Sequence, residues 1–264
     1  MTDTYKCSNY LDELIIHSHY NIYHRDRIND TILSKNIKKL VLKDKNLVPL
    51  DSLPSCLTTL VLYEDDKFGL DNLPNSIEYI YMNVYTSRLD CLCVGVKTII
   101  IKKGFNHSVP NLPHTLEELA LGDDFSQPID KLPSGLKILH LGNEFNHAVD
   151  KLPQTLERII FGEKFSQSLD MLPNTIKYIS ICWIGKFNEK ISVLPKDLEE
   201  LHLNNNFSQT ICRFPIGIKK ISFGHKFSNW IILPDTSVIL KIPSDYKYIN
   251  ELRIQYRNII ITYQ

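Results

Sequence analysis

Residues 132–151, LPSGLKILHLGNEFNHAVDK, are followed by residues 152–171, LPQTLERIIFGEKFSQSLDM, which repeat the same apolar pattern at the same spacing. The repeat extends far beyond this pair of segments, because coils of about twenty residues can be started along most of the chain. The starts are Leu33, Leu53, Leu73, Leu92, Leu112, Leu132, Leu152, Leu172, Leu194 and Phe214, with a degenerate eleventh start at Leu233. A fixed period of this length predicts a solenoid whose coils stack on one another.

Each coil contains one short segment with the alternation of a β-strand. Counted from the Leu-Pro start, positions 8 and 10 are apolar throughout, as in Leu139 and Leu141. Alternate strand residues point to the same side, so positions 8 and 10 face the core and positions 7 and 9 face outward. Strands at a fixed spacing stack most simply in parallel, about 4.8 Å apart. We therefore predict a repeat solenoid with one short parallel β-strand per coil.

The remainder of each coil favours turns and extended chain. Proline at position 2 fixes φ and lacks an N–H, which favours an extended return path with little α-helix on the convex side. Glycine at position 11, as in Gly142 and Gly162, is expected to permit a sharp turn after the strand. Position 14 is phenylalanine in seven consecutive coils and predicts a buried aromatic spine. Its members are Phe105, Phe125, Phe145, Phe165, Phe187, Phe207 and Phe227.

Charges at position 6 provide an independent test of stacking. From Glu78 onward they alternate in sign between successive coils: Glu78, Lys97, Glu117, Lys137, Glu157, Lys177, Glu199 and Lys219. Side-by-side strands explain this alternation, because opposite charges on neighbouring strands attract and like charges repel. The pattern predicts that Lys137 lies beside Glu117 and Glu157.

The repeat divides the chain into three predicted parts. Residues 1–32 form an N-terminal cap, residues 33–243 form the solenoid and residues 244–264 form a C-terminal cap. The tail IIITY, residues 259–263, is an aggregation-prone edge unless it folds back or pairs. Oligomerisation through the end caps is therefore one expectation.

Composition argues against several classes of function. Lys plus Arg (30) equals Asp plus Glu (30), so there is no overall field to attract nucleic acid or an anionic membrane. No signal peptide and no run of eighteen apolar residues is evident. Six scattered cysteines without C-x-x-C spacing suit free thiols in a reducing compartment. We expect an intracellular, cytoplasmic protein that binds neither nucleic acid nor membranes.

The L-x-x-L-x-L spacing resembles the leucine-rich repeat. Its version here, with Leu-Pro starts and segments such as FNHSVPNLP at residues 105–113, resembles the FNIP repeat known from amoebae and giant viruses. The resemblance implies a curved, leucine-rich-repeat-like solenoid without catalysis, located in the host cell if the chain is viral. In relatives that carry an F-box it also implies a link to ubiquitin ligases, but residues 1–32 contain no evident F-box.

No motif for a nucleophile, a phosphate-binding loop or a zinc site is evident, so we expect no catalytic residues and no cofactor. His17, His19 and His24 either gather a metal or form the polar face of the N-terminal cap, and without an acidic or thiol partner the cap is favoured. Cys93 stands where proline usually does and is interpreted as an apolar filler. His107 and His147 are expected to be turn residues, so no metal site is predicted.

The candidate site is the outward, concave face of the sheet. The predicted partner-binding residues are Tyr79, Tyr81, Ile100, Ile138, His140, Arg158, Ile160 and Tyr178. Aromatic and arginine anchors framed by charge are typical of protein-binding surfaces, whereas β-branched and aromatic residues also suit strands without any partner. We hypothesise a non-enzymatic interaction scaffold for an unidentified protein. The alternatives are a self-assembling structural protein and a substrate-recognition adaptor for a ubiquitin ligase.

Overall fold

The structure is a computed structural model that describes residues 13–16, 37–44, 50, 53–64, 70–89 and 92–263. The strands in these ranges are β1 (Glu13–Ile16), β2 (Lys39–Leu42), β3 (Thr59–Leu62), β4 (Tyr79–Val84), β5 (Thr98–Lys103), β6 (Glu118–Leu121), β7 (Ile138–His140), β8 (Arg158–Phe161), β9 (Tyr178–Ile181), β10 (Glu200–His202), β11 (Lys220–Ser222), β12 (Val238–Ile242) and β13 (Ile259–Tyr263). The helix in these ranges is α1 (Ile249–Gln255). The predicted strand in each coil and the scarcity of helix are confirmed.

The strands form one parallel sheet in which spatial order follows chain order from β1 to β13. Residues one coil apart are direct neighbours, so that Leu139 pairs with Leu119 on one side and with Ile159 on the other. The register also survives the longest coil, where Ile179 pairs with Leu201. Its extra residues are therefore accommodated outside the strands.

The core lies between the sheet and the return segments. Leu139, Ile159 and Ile179, at position 8 of successive coils, have no solvent exposure. Adjacent rings of the phenylalanine spine stack nearly parallel, with centroids 5.9–6.3 Å apart and interplanar angles of 5–12°. This spacing exceeds the roughly 4.8 Å between strands of a sheet. The coils therefore fan out on the spine side, which puts the sheet on the inner, concave side.

Tyrosines end the spine at both ends. Tyr85 stacks on Phe105 with centroids 6.3 Å apart, and Tyr246 stacks on Phe227 at 6.1 Å. Each phenol donates its hydroxyl hydrogen to a backbone carbonyl, Tyr85 to Arg88 at 2.9 Å and Tyr246 to Asn229 at 2.6 Å. Burial raises the pKa of Tyr246, so this donor stays protonated.

The position 6 charges pair as the alternation predicts. Each lysine contacts the glutamate of the preceding coil, with Nζ to Oε distances of 2.7–2.9 Å. Position 15 alternates in phase with them, because an asparagine side chain in one coil accepts a hydrogen bond from the backbone N–H of a serine in the next. These pairs are Asn106 with Ser126, Asn146 with Ser166 and Asn188 with Ser208. The two kinds of contact lie at alternate junctions between coils, so each recurs every two coils.

The glycines at position 11 are required for two different reasons. Gly122 has a φ of +68°, which only glycine adopts without strain. Gly142 and Gly162 do not share this conformation, but a Cβ on either would overlap the backbone carbonyl of the glycine one coil earlier. Close approach between coils, as well as turn geometry, thus explains this column.

The sheet continues beyond residue 243, where α1 leads into β13 and β13 pairs in parallel with β12. The boundaries at residues 32 and 243 therefore stay predictions. Within the described ranges, the seven-residue α1 is too short to cross a membrane.

Candidate functional site

The candidate site is the set of outward side chains at positions 7 and 9 of β2 to β12, here called the open face. All eight predicted site residues lie on this face, in β4, β5, β7, β8 and β9, and all are half-buried. The register divides them into two groups separated by β6. Tyr79, Tyr81 and Ile100 form the first group, and Ile138, His140, Arg158, Ile160 and Tyr178 form the second.

The N-terminal half of the open face is dominated by tyrosines. Tyr81 lies near Tyr63, with ring centroids 6.1 Å apart, and Lys43 Nζ is 3.5 Å from the centre of the Tyr63 ring. Tyr63, Tyr81, Tyr79 and Val61 border an open groove of about 520 Å³. Burial is the main cause of a raised pKa at Tyr79, so its hydroxyl remains a neutral donor.

The C-terminal half is more polar. The guanidinium carbon of Arg158 lies 3.6 Å from the centre of the Tyr178 ring, a cation–π contact that holds both side chains against the sheet. Tyr178 also packs on His202, with centroids 5.2 Å apart. A cavity of about 470 Å³ runs beside these residues toward Trp183 in the turn after β9.

His202, on β10, contacts its own strand through one ring nitrogen and β11 through the other. Nε2 is 3.1 Å from Glu200 Oε2, and Nδ1 is 3.1 Å from Ser222 Oγ. A carboxylate only accepts, so the neutral ring donates from Nε2 and accepts the Ser222 hydroxyl hydrogen at Nδ1. Burial lowers the pKa of His202 despite the opposing effect of Glu200, which keeps the ring neutral near pH 7.

His140 lies in a less polar setting, between Ala120 and Ile160 in the register. Its Nε2 atom is buried and has no hydrogen-bond partner among the described residues. Burial, followed by the nearby positive charges of Arg158 and Lys102, lowers its pKa. The ring is therefore neutral at pH 7 and resists protonation.

Sequence reasoning omitted several residues that complete the C-terminal half. Glu200, His202, Ser222 and Lys241 lie on the same face as Tyr178, in strands β10 to β12. The repeat assigns them to the outward positions 7 and 9, but a criterion of aromatic and arginine anchors selects the middle coils. The hydrogen bonds that join Glu200, His202 and Ser222 are evident only from the structure.

The other residues considered for chemistry take structural positions. His107 and His147 each contact a backbone carbonyl of the preceding coil, Thr86 O and Ser126 O, at 2.7 Å. Cys93 is half-buried against the core, and burial raises the pKa of its thiol. His17, His19 and His24 lie outside the described residues. No cluster of metal-binding side chains occurs within the described ranges.

Comparison with known proteins identifies the repeat. The family model described as FNIP Repeat matches residues 105–143, 125–164 and 147–182. A comparison with curated protein sequences finds no match. Each match spans about two coils, and successive matches begin about one coil apart.

Solved structures provide the wider context. CroV588 from a giant virus, a circular leucine-rich-repeat protein, aligns with a TM-score of 0.59 and 26% identity over 88% of this chain. The alignment spans 37% of the CroV588 chain, so this chain corresponds to little more than a third of that protein. YopM from Yersinia enterocolitica WA-314 aligns with a TM-score of 0.34 and 14% identity over 86% of this chain and 74% of YopM. The chain is a leucine-rich-repeat-like solenoid, and its residues 105–182 match the FNIP Repeat family model.

Proposed function

We propose that this chain is a non-enzymatic scaffold that binds a protein partner on the open face of its sheet. The observation that carries this proposal is that half-buried Tyr79, Tyr81, Arg158 and Tyr178 all lie on the open face, in two groups on either side of β6. Tyrosine and arginine dominate the energetics of protein interfaces, and a curved solenoid offers a long surface on which to hold them. The fold class supports the proposal, because leucine-rich-repeat proteins commonly mediate protein interactions.

The chemistry of the polar half also supports binding over catalysis. Ser222, His202 and Glu200 have the hydroxyl, imidazole and carboxylate of an acyl-transfer triad. Ser222, however, is only 6% exposed, and the adjacent Phe223 N–H already donates to Lys241 O. Oxyanion stabilisation requires free donors beside the nucleophile. A preorganised polar docking surface fits this arrangement better.

Affinity capture followed by mass spectrometry tests the proposal. The wild type is compared with the triple variant Tyr79→Ala/Tyr81→Ala/Tyr178→Ala, and captured proteins are then re-examined as purified pairs by calorimetry. We expect the triple variant to weaken binding by about a hundredfold or more, because each truncated anchor costs about 1–2 kcal/mol.

A matched control is provided by exposed apolar residues outside the open face. Met171, Val193 and Ile216 are 67%, 59% and 74% exposed and lie in the return segments, away from the strands. Their triple alanine variant should bind as the wild type does. Loss in this control with retention in the tyrosine variant would transfer the interface to the convex side and overturn the proposal.

Self-assembly is a second candidate, favoured by the C-terminal edge of the sheet. β13 pairs with β12 on one side, and its Ile260 and Tyr263 are 54% and 49% exposed. An exposed strand edge readily pairs with another chain. Light scattering over a concentration series tests this: growth in mass that Ile260→Lys abolishes supports assembly, and a constant monomer mass rejects it.

A further inference from the structure

Two cations on the C-terminal half of the open face have no acidic partner among the described residues. Arg158 stacks on Tyr178, and Lys241 lies beside Ser222 in the register. The carboxylate in the described outward positions of β8 to β12, Glu200, is already engaged by His202 at 3.1 Å and by Lys220 at 3.9 Å. Arg158 and Lys241 therefore leave this half with an excess of positive charge.

The distance between the two cations sets the length of a ligand that could contact both. Arg158 is on β8 and Lys241 is on β12, so four strand intervals of about 4.8 Å put their backbones about 19 Å apart. An extended peptide advances about 3.3 Å per residue, and about six residues span this distance. Between the cations lie the Tyr178 ring and the polar groups of Ser180, His202 and Ser222, which border the 470 Å³ cavity.

We propose that the C-terminal half of the open face binds an extended acidic segment of the partner protein. The segment runs across the strands, with carboxylates about six residues apart meeting Arg158 and Lys241. This inference rests on the proposed function, since it names the chemistry of the partner that the open face receives. Charge complementarity supports this occupant. On β8 to β12, the one outward carboxylate among the described residues, Glu200, is already paired, so Arg158 and Lys241 can attract acidic groups of a partner.

The same charges argue against a nucleic acid as the occupant. Affinity for a nucleic acid comes largely from several Lys and Arg side chains that neutralise phosphates. Here two uncompensated cations are separated by about 19 Å, and the chain has a formal net charge of zero. Asp123, which also lines the cavity, lies in the turn after β6, at the end remote from Lys241.

Fluorescence anisotropy with a labelled twelve-residue polyglutamate peptide tests the inference on the full chain. Arg158→Gln/Lys241→Gln is compared with Lys131→Gln/Lys196→Gln, which removes the same charge from exposed residues outside the strands. We expect the first variant to weaken binding about tenfold or more and the control less than about twofold. Polyglutamine should not bind, and the dissociation constant for polyglutamate should rise with salt.

Equal losses in the two double variants, or binding that is independent of salt, would overturn the inference. So would an oligouridylate of the same length that binds more tightly through Arg158 and Lys241. Thermal unfolding checks that the variants are folded, and the single substitutions replace the double variant if it is not. If the tyrosine triple variant abolishes partner capture while Arg158→Gln/Lys241→Gln retains it, the docking function stands and the acidic partner is wrong.

Discussion

The two faces of the same strands follow different rules. On β7, Leu139 points inward and has no solvent exposure, whereas Ile138 and His140 on either side of it point outward and are half-buried. Inward positions carry interchangeable aliphatic or aromatic residues in coil after coil. Outward positions change from tyrosine to isoleucine, arginine and histidine along the sheet. Packing between coils therefore constrains the inward positions to similar residues. The outward positions are not constrained in this way and can vary to suit a binding partner.

The largest effect on stability is expected when a ring is removed from the phenylalanine spine. Phe145→Ala deletes a fully buried side chain that stacks on Phe125 and Phe165. We expect a loss of about 3–5 kcal/mol in the free energy of unfolding, from lost transfer energy and an unfilled cavity. Urea denaturation measures the loss.

The matched outward change is Ile138→Ala, which should cost about 1 kcal/mol because the side chain is only half-buried. A loss for Ile138→Ala equal to that for Phe145→Ala would break the contrast between the two faces.

The next test concerns contact between coils at position 11. Gly142→Ala introduces a Cβ that overlaps the backbone carbonyl of Gly122, so neighbouring coils must shift. We expect a loss of about 1–3 kcal/mol in unfolding free energy, as in other overpacked sites. The control is Gly135→Ala, whose Cβ would lie 3.4 Å from its nearest neighbour, His114 O. Gly135→Ala should be neutral or stabilising, because alanine lowers the entropy of the unfolded chain. Equal losses at Gly142 and Gly135 would show that overlap with the neighbouring coil does not cause the loss at Gly142.

The features that repeat from coil to coil are the ones that the sequence predicts well. A period of about twenty residues fixes the parallel register, and Lys137 does contact Glu117 at 2.8 Å. Lys137 does not contact Glu157 in the same way, because Glu157 pairs with Lys177 of the following coil. A residue in a repeated column lies beside the residue at the same position of the next coil. The sequence of one coil therefore predicts the neighbours of that column in every coil.

The side-chain contacts on the open face were less predictable, because its residues differ from coil to coil. Its membership follows from alternation, and the structure locates all eight predicted residues there. Side-chain partners at varied positions depend on which residue the neighbouring coil supplies. The bonds from His202 to Glu200 and Ser222, and the contact of Arg158 with Tyr178, could not be inferred from a repeat that does not contain them.

A smaller, pH-dependent test compares an outward histidine with an apolar replacement. His140 has a lowered pKa in the folded protein, so as the pH falls below the ordinary histidine value of about 6.5 the unfolded chain takes up the proton first. The stability associated with His140 is therefore present above about pH 6.5 and is lost as the pH falls toward the lowered folded pKa. His140→Leu removes the titrating group and its unpartnered Nε2 atom.

Thermal unfolding at about pH 7.5 and about pH 5.5, on either side of the ordinary histidine pKa, measures this effect. We expect the melting temperature of His140→Leu to fall less between the two conditions than that of the wild type. Some acid sensitivity should remain, because His202 also has a lowered pKa. An unchanged difference between the two conditions would mean that His140 is protonated as readily in the folded chain as in the unfolded one.

The smallest expected effect lies at position 6, which precedes the strand and belongs to neither face. Lys137→Glu creates a row of three glutamates with Glu117 and Glu157, whereas Lys137→Gln only removes the attraction. Both side chains of the native pair are about half exposed, so solvent screens the interaction. We expect a small fall in melting temperature for Lys137→Glu and a smaller one for Lys137→Gln. In about 1 M sodium chloride, where the Debye length is about 3 Å, the difference between the variants should disappear. A difference that persists in salt would mean that the lysine stem contributes by packing, and position 6 would then belong with the inward columns.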